Sequence, residues 1–261
     1  SSYLNVLIMG GKMENAEKLV KKSLKANQKN KNTSGIMFDY RNLGNISLQK
    51  TDWLNAEKNY LKALEINTQS GNKAEMAEDN RNVYNLYLQK EDWSQAEKFA
   101  LQALELSEGI KDYRNVCADC RILANVYVEK KERSKQEIYY KKALESSQTL
   151  NDPKEILIDL RYLGKFNMER GYREKAGENF QQAFDLSNQL NDKKEIAEGY
   201  RNLGNLAFSN GERKEAEQSY LSALELTREV GDFKGAGQDF TYLGNLKFKD
   251  YLFEEAESYF V

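Results

Sequence analysis

Apolar side chains recur at helical spacing along this chain, in two segments of every forty residues. Polar breaks separate successive units at Gly71-Asn72, Lys111-Asp112, Asn151-Asp152, Asn191-Asp192 and Gly231-Asp232. The second residue of each break can cap the helix that follows, and Pro153 stands where a helix tolerates proline best. The pattern predicts a first helix over 73–90 and a second over about 93–109, with the other pairs displaced by multiples of forty.

A five-residue motif has the same period. Arg41-Asn42-Leu43-Gly44-Asn45 returns in related form at 81, 121, 161, 201 and 241. A fixed period of this size indicates stacked supersecondary units, each of which buries its apolar face against its neighbours. We expect a single array, with a partial first repeat at 1–32, complete repeats at 33–72, 73–112, 113–152, 153–192 and 193–232, and a truncated last repeat at 233–261. The incomplete ends predict a fragment of a larger protein.

Short turns join the two helices of each unit. A turn such as Glu91-Asp92 leaves the second helix room only to fold back along the first, so each unit is predicted to be an antiparallel helical hairpin. Tyr60 lies four residues after Ala56, and Ala63 follows three residues later on the same face. Alternating small and large residues are typical of closely packed helices.

The residues Leu43-Gly44, Trp53, Ala56, Tyr60 and Ala63-Leu64 resemble the tetratricopeptide repeat in order and spacing, and the likeness extends over almost the whole chain. The resemblance implies an all-α fold, a right-handed α-solenoid of stacked antiparallel helix pairs. The family's usual unit has about thirty-four residues and often a proline near its end; this unit is longer and lacks that proline, so we expect longer helices. In this respect the chain is similar to Pins-type spindle-orientation adaptors and to bacterial peptide-sensing regulators.

The same resemblance implies that the first helices line a concave wall on which ligands lie. On that wall we expect a basic row, an amide row four residues later and an apolar row three residues after that. The predicted peptide-binding residues are Arg41, Asn45, Arg81, Asn85, Arg121, Asn125, Arg161, Lys165, Met168, Arg201, Asn205, Phe208, Asn245 and Phe248. Asparagine would bind the backbone of any peptide, arginine would select acidic groups, and the apolar row would hold hydrophobic anchors.

Each row also has a structural interpretation. Aspartates recur two residues before the start of five of the six motifs, at Asp39, Asp79, Asp119, Asp159 and Asp239. An aspartate on a neighbouring helix could pair with arginine and make the basic row structural. The asparagines could bridge adjacent helices, and an apolar stripe is more often core than ligand site. The sequence leaves these alternatives open.

Composition narrows the classes of function. Of 261 residues, 40% are hydrophobic and 31% charged, with a net charge of -2, which predicts a folded protein without membrane spans and no general attraction to nucleic acid or membranes. The chain has no histidine, and Cys117 and Cys120 stand at core positions of the repeat, so we expect no catalytic residue, metal or cofactor. Two cysteines and no recognisable signal peptide predict a cytoplasmic location.

The leading hypothesis is a non-enzymatic scaffold that binds an extended or partly helical segment of a partner protein, with a preference for acidic segments carrying hydrophobic anchors. The alternative is the peptide-sensing regulatory arm of a larger multidomain switch protein. In that case a short peptide would tighten the superhelix and alter an attached output domain. The partner's identity and the oligomeric state are left open.

Overall fold

The computed structural model describes residues 13–260, and the start of the predicted partial first repeat lies outside the described residues. Within this range every regular element is a helix. The helices are α1 Met13–Lys29, α2 Thr33–Gln49, α3 Trp53–Ser70, α4 Lys73–Gln89, α5 Trp93–Gly109, α6 Tyr113–Glu129, α7 Arg133–Leu150, α8 Pro153–Glu169, α9 Arg173–Gln189, α10 Lys193–Asn210, α11 Arg213–Glu229, α12 Phe233–Lys249 and α13 Phe253–Phe260. The predicted helices over 73–90 and 93–109 are confirmed as α4 and α5.

The predicted capping residues begin the first helix of each hairpin. Side-chain oxygens of Asn72, Asp112, Asp152, Asp192 and Asp232 accept backbone N–H groups from the helices that follow them. Pro153 is the first residue of α8, where its missing N–H costs no helical hydrogen bond. The cap pattern therefore sets the helix starts locally.

Helix ends share one backbone device. A residue with positive φ follows each helix from α1 to α12, first at Lys31 and then at every twentieth position as far as Tyr251. Four of these residues are glycines, such as Gly71, which adopt this left-handed conformation without steric cost. The twenty-residue recurrence makes the turn within a hairpin and the turn between hairpins alike.

The described part of the chain divides into two compact units, one that ends at residue 139 and one that begins at residue 140. In the first unit each helix from α1 to α6 packs against its neighbours along the chain, and in the second unit the helices from α8 to α13 do the same. Sequential packing of helices, with no strand among residues 13–260, makes the fold an all-α solenoid, as predicted. The organisation into one continuous array stays a prediction.

Glycine lets the two helices of a hairpin approach closely. A ring carbon of Tyr60 lies 2.4 Å from the point where a Cβ would stand on Gly44, and one of Phe180 lies 2.5 Å from that point on Gly164. Ala56, beside Tyr60 on α3, is fully buried. The predicted alternation of small and large residues is therefore the interface within the hairpin.

Candidate functional site

Three arginines of the basic row form ion pairs between neighbouring hairpins. The pairs are Arg41 with Asp79, Arg81 with Asp119, and Arg201 with Asp239. Arg81 binds in bidentate fashion, since its Nε donates to Asp119 Oδ1 at 3.0 Å and its Nη2 donates to Oδ2 at 2.9 Å. The Arg81 side chain is 13% exposed and that of Asp119 0%. For these three arginines the geometry agrees with the structural interpretation of the basic row, in which the guanidinium links two neighbouring hairpins.

A polar residue of the intervening second helix completes each pair. Ser107 Oγ on α5 donates to Asp119 Oδ2 at 3.1 Å, and Thr227 Oγ1 on α11 donates to Asp239 Oδ2 at 2.9 Å. Burial raises the pKa of Asp119, and the hydrogen bond from Arg81 opposes that rise by favouring the carboxylate. The predicted rows did not include these second-helix residues, although positions 27, 67, 107, 147, 187 and 227 are all polar.

The amide row lies on the surface of both units. Asn45, Asn85 and Asn125 in the first unit and Asn245 in the second are exposed, and Asn205 is partly exposed. Asn85 and Asn245 make no side-chain hydrogen bond within residues 13–260. Their amides are therefore available to a ligand.

Two asparagines are oriented by tyrosines of the second helix. Tyr60 OH on α3 donates to Asn45 Oδ1 at 2.7 Å, and Tyr220 OH on α11 donates to Asn205 Oδ1 at 2.8 Å. The bond lies within the hairpin, between its own two helices. Because it uses only the amide oxygen, the Nδ2 group of each asparagine keeps its two donors.

The apolar row is partly exposed. Met168 and Phe208 are half-buried, and the guanidinium of Arg213 lies 4.4 Å from the centroid of the Phe208 ring. Phe248 is 55% exposed, and its ring meets that of Phe253 edge to face at 5.5 Å between centroids. Exposure is therefore greatest at the end of the row.

The pattern of buried pairs changes between α8 and α10. Gly199 stands forty residues after Asp159, at the position that carries aspartate in other repeats. The ring of Phe184 packs against it, with Cδ2 2.6 Å from the point where a Cβ would stand. Arg161 consequently has no aspartate at this position and pairs with Glu195 near the start of α10. Its side chain is 18% exposed.

A cavity of about 320 Å³ opens beside this arginine. Its lining consists of Ile158, Arg161, Tyr162, Lys165 and Glu198. Lys165 replaces the asparagine of other repeats, is 49% exposed, and places Nζ 3.4 Å from Glu198 Oε1. Burial alone would raise the pKa of Glu198, but Lys165 and Arg201 outweigh it and lower that pKa, so the carboxylate is charged near neutral pH. Compared with the Arg81 pair, this junction has an added ammonium and lacks the buried aspartate.

The structure also gives the positions of the other residues that the sequence analysis singled out. Arg121 is half-buried on α6, and Cys117 and Cys120 are buried on the same helix. Residues 13–260 contain no group of three or more His, Cys, Asp or Glu arranged to hold a metal ion. In the same part of the chain, no helix has an apolar stretch long enough to cross a bilayer.

Comparison with known proteins finds one repeat family model and several solved structures that are similar to this chain. Residues 197–230 match the family model of the tetratricopeptide repeat, and no curated protein matches the sequence. A signal transduction ATPase with numerous domains and a tetratricopeptide repeat sensor, from Pyrococcus horikoshii, is 17% identical at a TM-score of 0.76, over 99% of this chain and 41% of that one. This chain therefore spans less than half of that protein.

Two other solved structures are similar over most of their length. Aspartyl phosphate phosphatase F from Bacillus subtilis is 15% identical at a TM-score of 0.72, over 91% of this chain and 72% of that one. A Rap protein complexed with competence and sporulation factor is 17% identical at a TM-score of 0.61, over 99% of this chain and 72% of that one. At these identities the likeness shows a shared fold.

Proposed function

We propose that this chain, a tetratricopeptide-repeat protein, is a non-enzymatic scaffold that binds an extended segment of a partner protein along the exposed faces of its first helices. The observation that carries the proposal is the amide row. Asparagine is a mediocre helix former, yet Asn45, Asn85 and Asn245 recur in mid-helix with exposed side chains. A peptide backbone offers both the acceptors and the donors that such amides bind.

The tyrosine contacts support a recognition role for two of the amides. With Asn45 Oδ1 held by Tyr60, the Nδ2 group is the part left for a ligand, and it would bind a backbone carbonyl. Asn205 has the same arrangement. A side chain oriented before binding loses less rotamer entropy when the ligand arrives.

The cavity between α8 and α10 supports the expected preference for acidic segments. Arg161 and Lys165 both line it, and this cavity has no equivalent of Asp119, the aspartate that pairs with Arg81 two repeats earlier. A carboxylate from the partner would bind these cations in place of part of their present pairing with Glu195 and Glu198. Acidic selectivity is thus proposed for the second unit, while Arg41, Arg81 and Arg201 are proposed to act structurally.

A peptide-display selection tests the proposal. Linear peptides are selected on the wild-type chain, and their dissociation constants are measured for Asn85→Ala and Asn245→Ala. Loss of one amide contact should weaken peptides that bind the affected unit by about fivefold. Because neither side chain has an intramolecular hydrogen bond within the described chain, helicity and unfolding midpoint should not fall.

Matched controls lie on the second helices. Gln182 on α9 and Gln218 on α11 are exposed amides outside the predicted rows, and their change to alanine should leave affinity unchanged. Lys165→Gln should weaken acidic peptides selectively and reduce the salt dependence of their binding. Unchanged peptide affinity in both asparagine variants, or an equal loss of affinity in the glutamine controls, would contradict binding by the amide row.

A second candidate function is the peptide-sensing arm of a larger switch protein. The favouring observation is the likeness of 99% of this chain to a protein with a tetratricopeptide repeat sensor. Hydrogen exchange with and without a selected peptide separates the two functions. Protection confined to the contacted helices indicates a scaffold, whereas protection that spreads through a whole unit indicates a sensor.

A further inference from the structure

Three helices of the first unit form a groove whose lining contains no residue of the three predicted rows. Its volume is about 540 Å³, within the usual range of about 300–1,000 Å³ for ligand pockets. Leu64 on α3, Met76 on α4 and Leu106 on α5 supply apolar lining. Lys73 and Glu105 also line it and are exposed to solvent. The groove therefore joins an apolar interior to a charged, open border.

Asn80 on α4 is the buried polar member of this lining. It is 3% exposed, and its Nδ2 donates to the backbone oxygen of Met76 at 2.8 Å. Its Oδ1 is buried and accepts no hydrogen bond from the described chain. A buried amide oxygen without a donor is costly to the folded state, so a donor supplied by a ligand would be favoured here.

The preceding repeat has an aromatic ring in the corresponding groove. A smaller cavity of about 370 Å³ lies there, and each of its lining residues stands forty positions before a residue that lines the larger one. Tyr40 takes the position of Asn80, and its ring lies 5.0 Å from the Lys62 ammonium. Tyr200 occupies the same position in the second unit, with its ring 4.8 Å from that of Phe184.

The repeat comparison identifies the chemistry that the groove lacks. The period brings an aromatic ring to this position at Tyr40, Tyr200 and Phe240 and an apolar side chain without a ring at Cys120 and Leu160, whereas Asn80 is polar and too short to fill the space of a ring. An aromatic ring suits an apolar wall, and the hydroxyl of a tyrosine needs a partner once it is buried. Asn80 Oδ1 is such a partner.

We propose that the groove between α3, α4 and α5 binds a tyrosine side chain from a partner polypeptide. The phenol ring occupies the space that Tyr40 takes one repeat earlier, and a shift of the groove wall uncovers Asn80 Oδ1, which is buried in this structure, so that the hydroxyl donates to it. Met76 is the flexible part of the wall, because an unbranched thioether side chain adapts readily to an inserted ring. Lys73 and Glu105 then flank the backbone of the segment that carries the tyrosine.

The test uses analogues of the side chain and the full chain as it stands. Binding of p-cresol, toluene and N-acetyl-tyrosinamide is followed by NMR titration and calorimetry. We expect p-cresol to bind at one site, toluene to bind about tenfold more weakly because it lacks the hydroxyl, and N-acetyl-tyrosinamide to bind at least as well as p-cresol. Equal affinity of p-cresol and toluene would overturn the role of Asn80. Binding of p-cresol without binding of the amide would overturn a polypeptide source.

Three variants complete the test. Asn80→Leu keeps the groove apolar and should abolish the difference between p-cresol and toluene. Asn80→Tyr should remove binding by filling the space, and retained p-cresol binding would place the site elsewhere and overturn the proposal. Tyr40→Asn should open the smaller groove and raise the number of bound p-cresol molecules from one to two. A thermal melt shows which variants are folded, and the Asn80→Leu comparison stands if Asn80→Tyr is not.

Discussion

The Arg81 and Asp119 pair allows a quantitative test of the structural role of the basic row. Arg81→Met removes the guanidinium and leaves a fully buried carboxylate with hydroxyl donors from Ser107 and Tyr84. Removing one partner of a buried pair costs about 3–5 kcal/mol, because a charge is left without its counter-charge. Since two donors remain, we expect a loss near the lower limit, about 3 kcal/mol.

The double variant measures the interaction itself. Asp119→Asn alone should cost about 2 kcal/mol, since charged hydrogen bonds are lost while Arg81, 13% exposed, still reaches water. Asparagine at 119 keeps a carbonyl oxygen for Ser107 and Tyr84, and the double variant buries no unpaired charge. We therefore expect Arg81→Met with Asp119→Asn to lose about 3 kcal/mol, which is about 2 kcal/mol less than the two separate losses combined.

Two assays provide the numbers. Urea unfolding followed by far-UV circular dichroism gives the free energies, and hydrogen exchange locates the loss, because repeat proteins open by neighbouring units. Amides of α4 and α6 should lose protection first. A coupling energy below about 0.5 kcal/mol would refute the pair as a link between these hairpins. The double variant should also keep its affinity for peptides selected on the wild type, because Arg81 is not assigned to the ligand.

Two further predictions concern packing and pH. Gly164→Ala should destabilise the folded chain by about 1–3 kcal/mol, because the new methyl group would lie 2.5 Å from the Phe180 ring. Gly237 is also helical but has nothing within 4 Å of the equivalent point, so Gly237→Ala should stabilise the chain by about 0.5–1 kcal/mol. The two variants should shift the urea midpoint in opposite directions. Burial alone would raise the pKa of Glu97, but the hydrogen bonds from Lys130 and Tyr127 and the charges of Lys130 and Lys135 together outweigh it and lower that pKa below the ordinary 4.5. The contribution of Glu97 to stability is therefore present above pH 4.5 and is lost as the pH falls through the lowered value. The wild-type midpoint should therefore fall more steeply with acid than that of Glu97→Gln, and parallel curves would contradict the prediction.

Much of the fold could be predicted because its signals are local. Helical spacing, the capping Asn72 and Asp112, and the proline at 153 act within a few residues of themselves, so the helix boundaries can be predicted without knowledge of tertiary contacts. The alternation of Gly44 with Tyr60 predicts close packing for the same reason, since both residues belong to one hairpin. These features follow from sequence alone.

The roles of the surface side chains required the tertiary structure. Arg81 and Arg161 hold the same place in the motif. Arg81 pairs with Asp119, thirty-eight residues later, whereas the residue thirty-eight positions after Arg161 is Gly199, which has no carboxylate. Their difference depends on which residue a neighbouring hairpin brings within hydrogen-bond distance. Asn80 has the same kind of dependence, because its groove exists only where three helices meet. The sequence by itself determined the repeated hairpins, whereas packing between them decided which polar groups are satisfied internally and which remain for a partner.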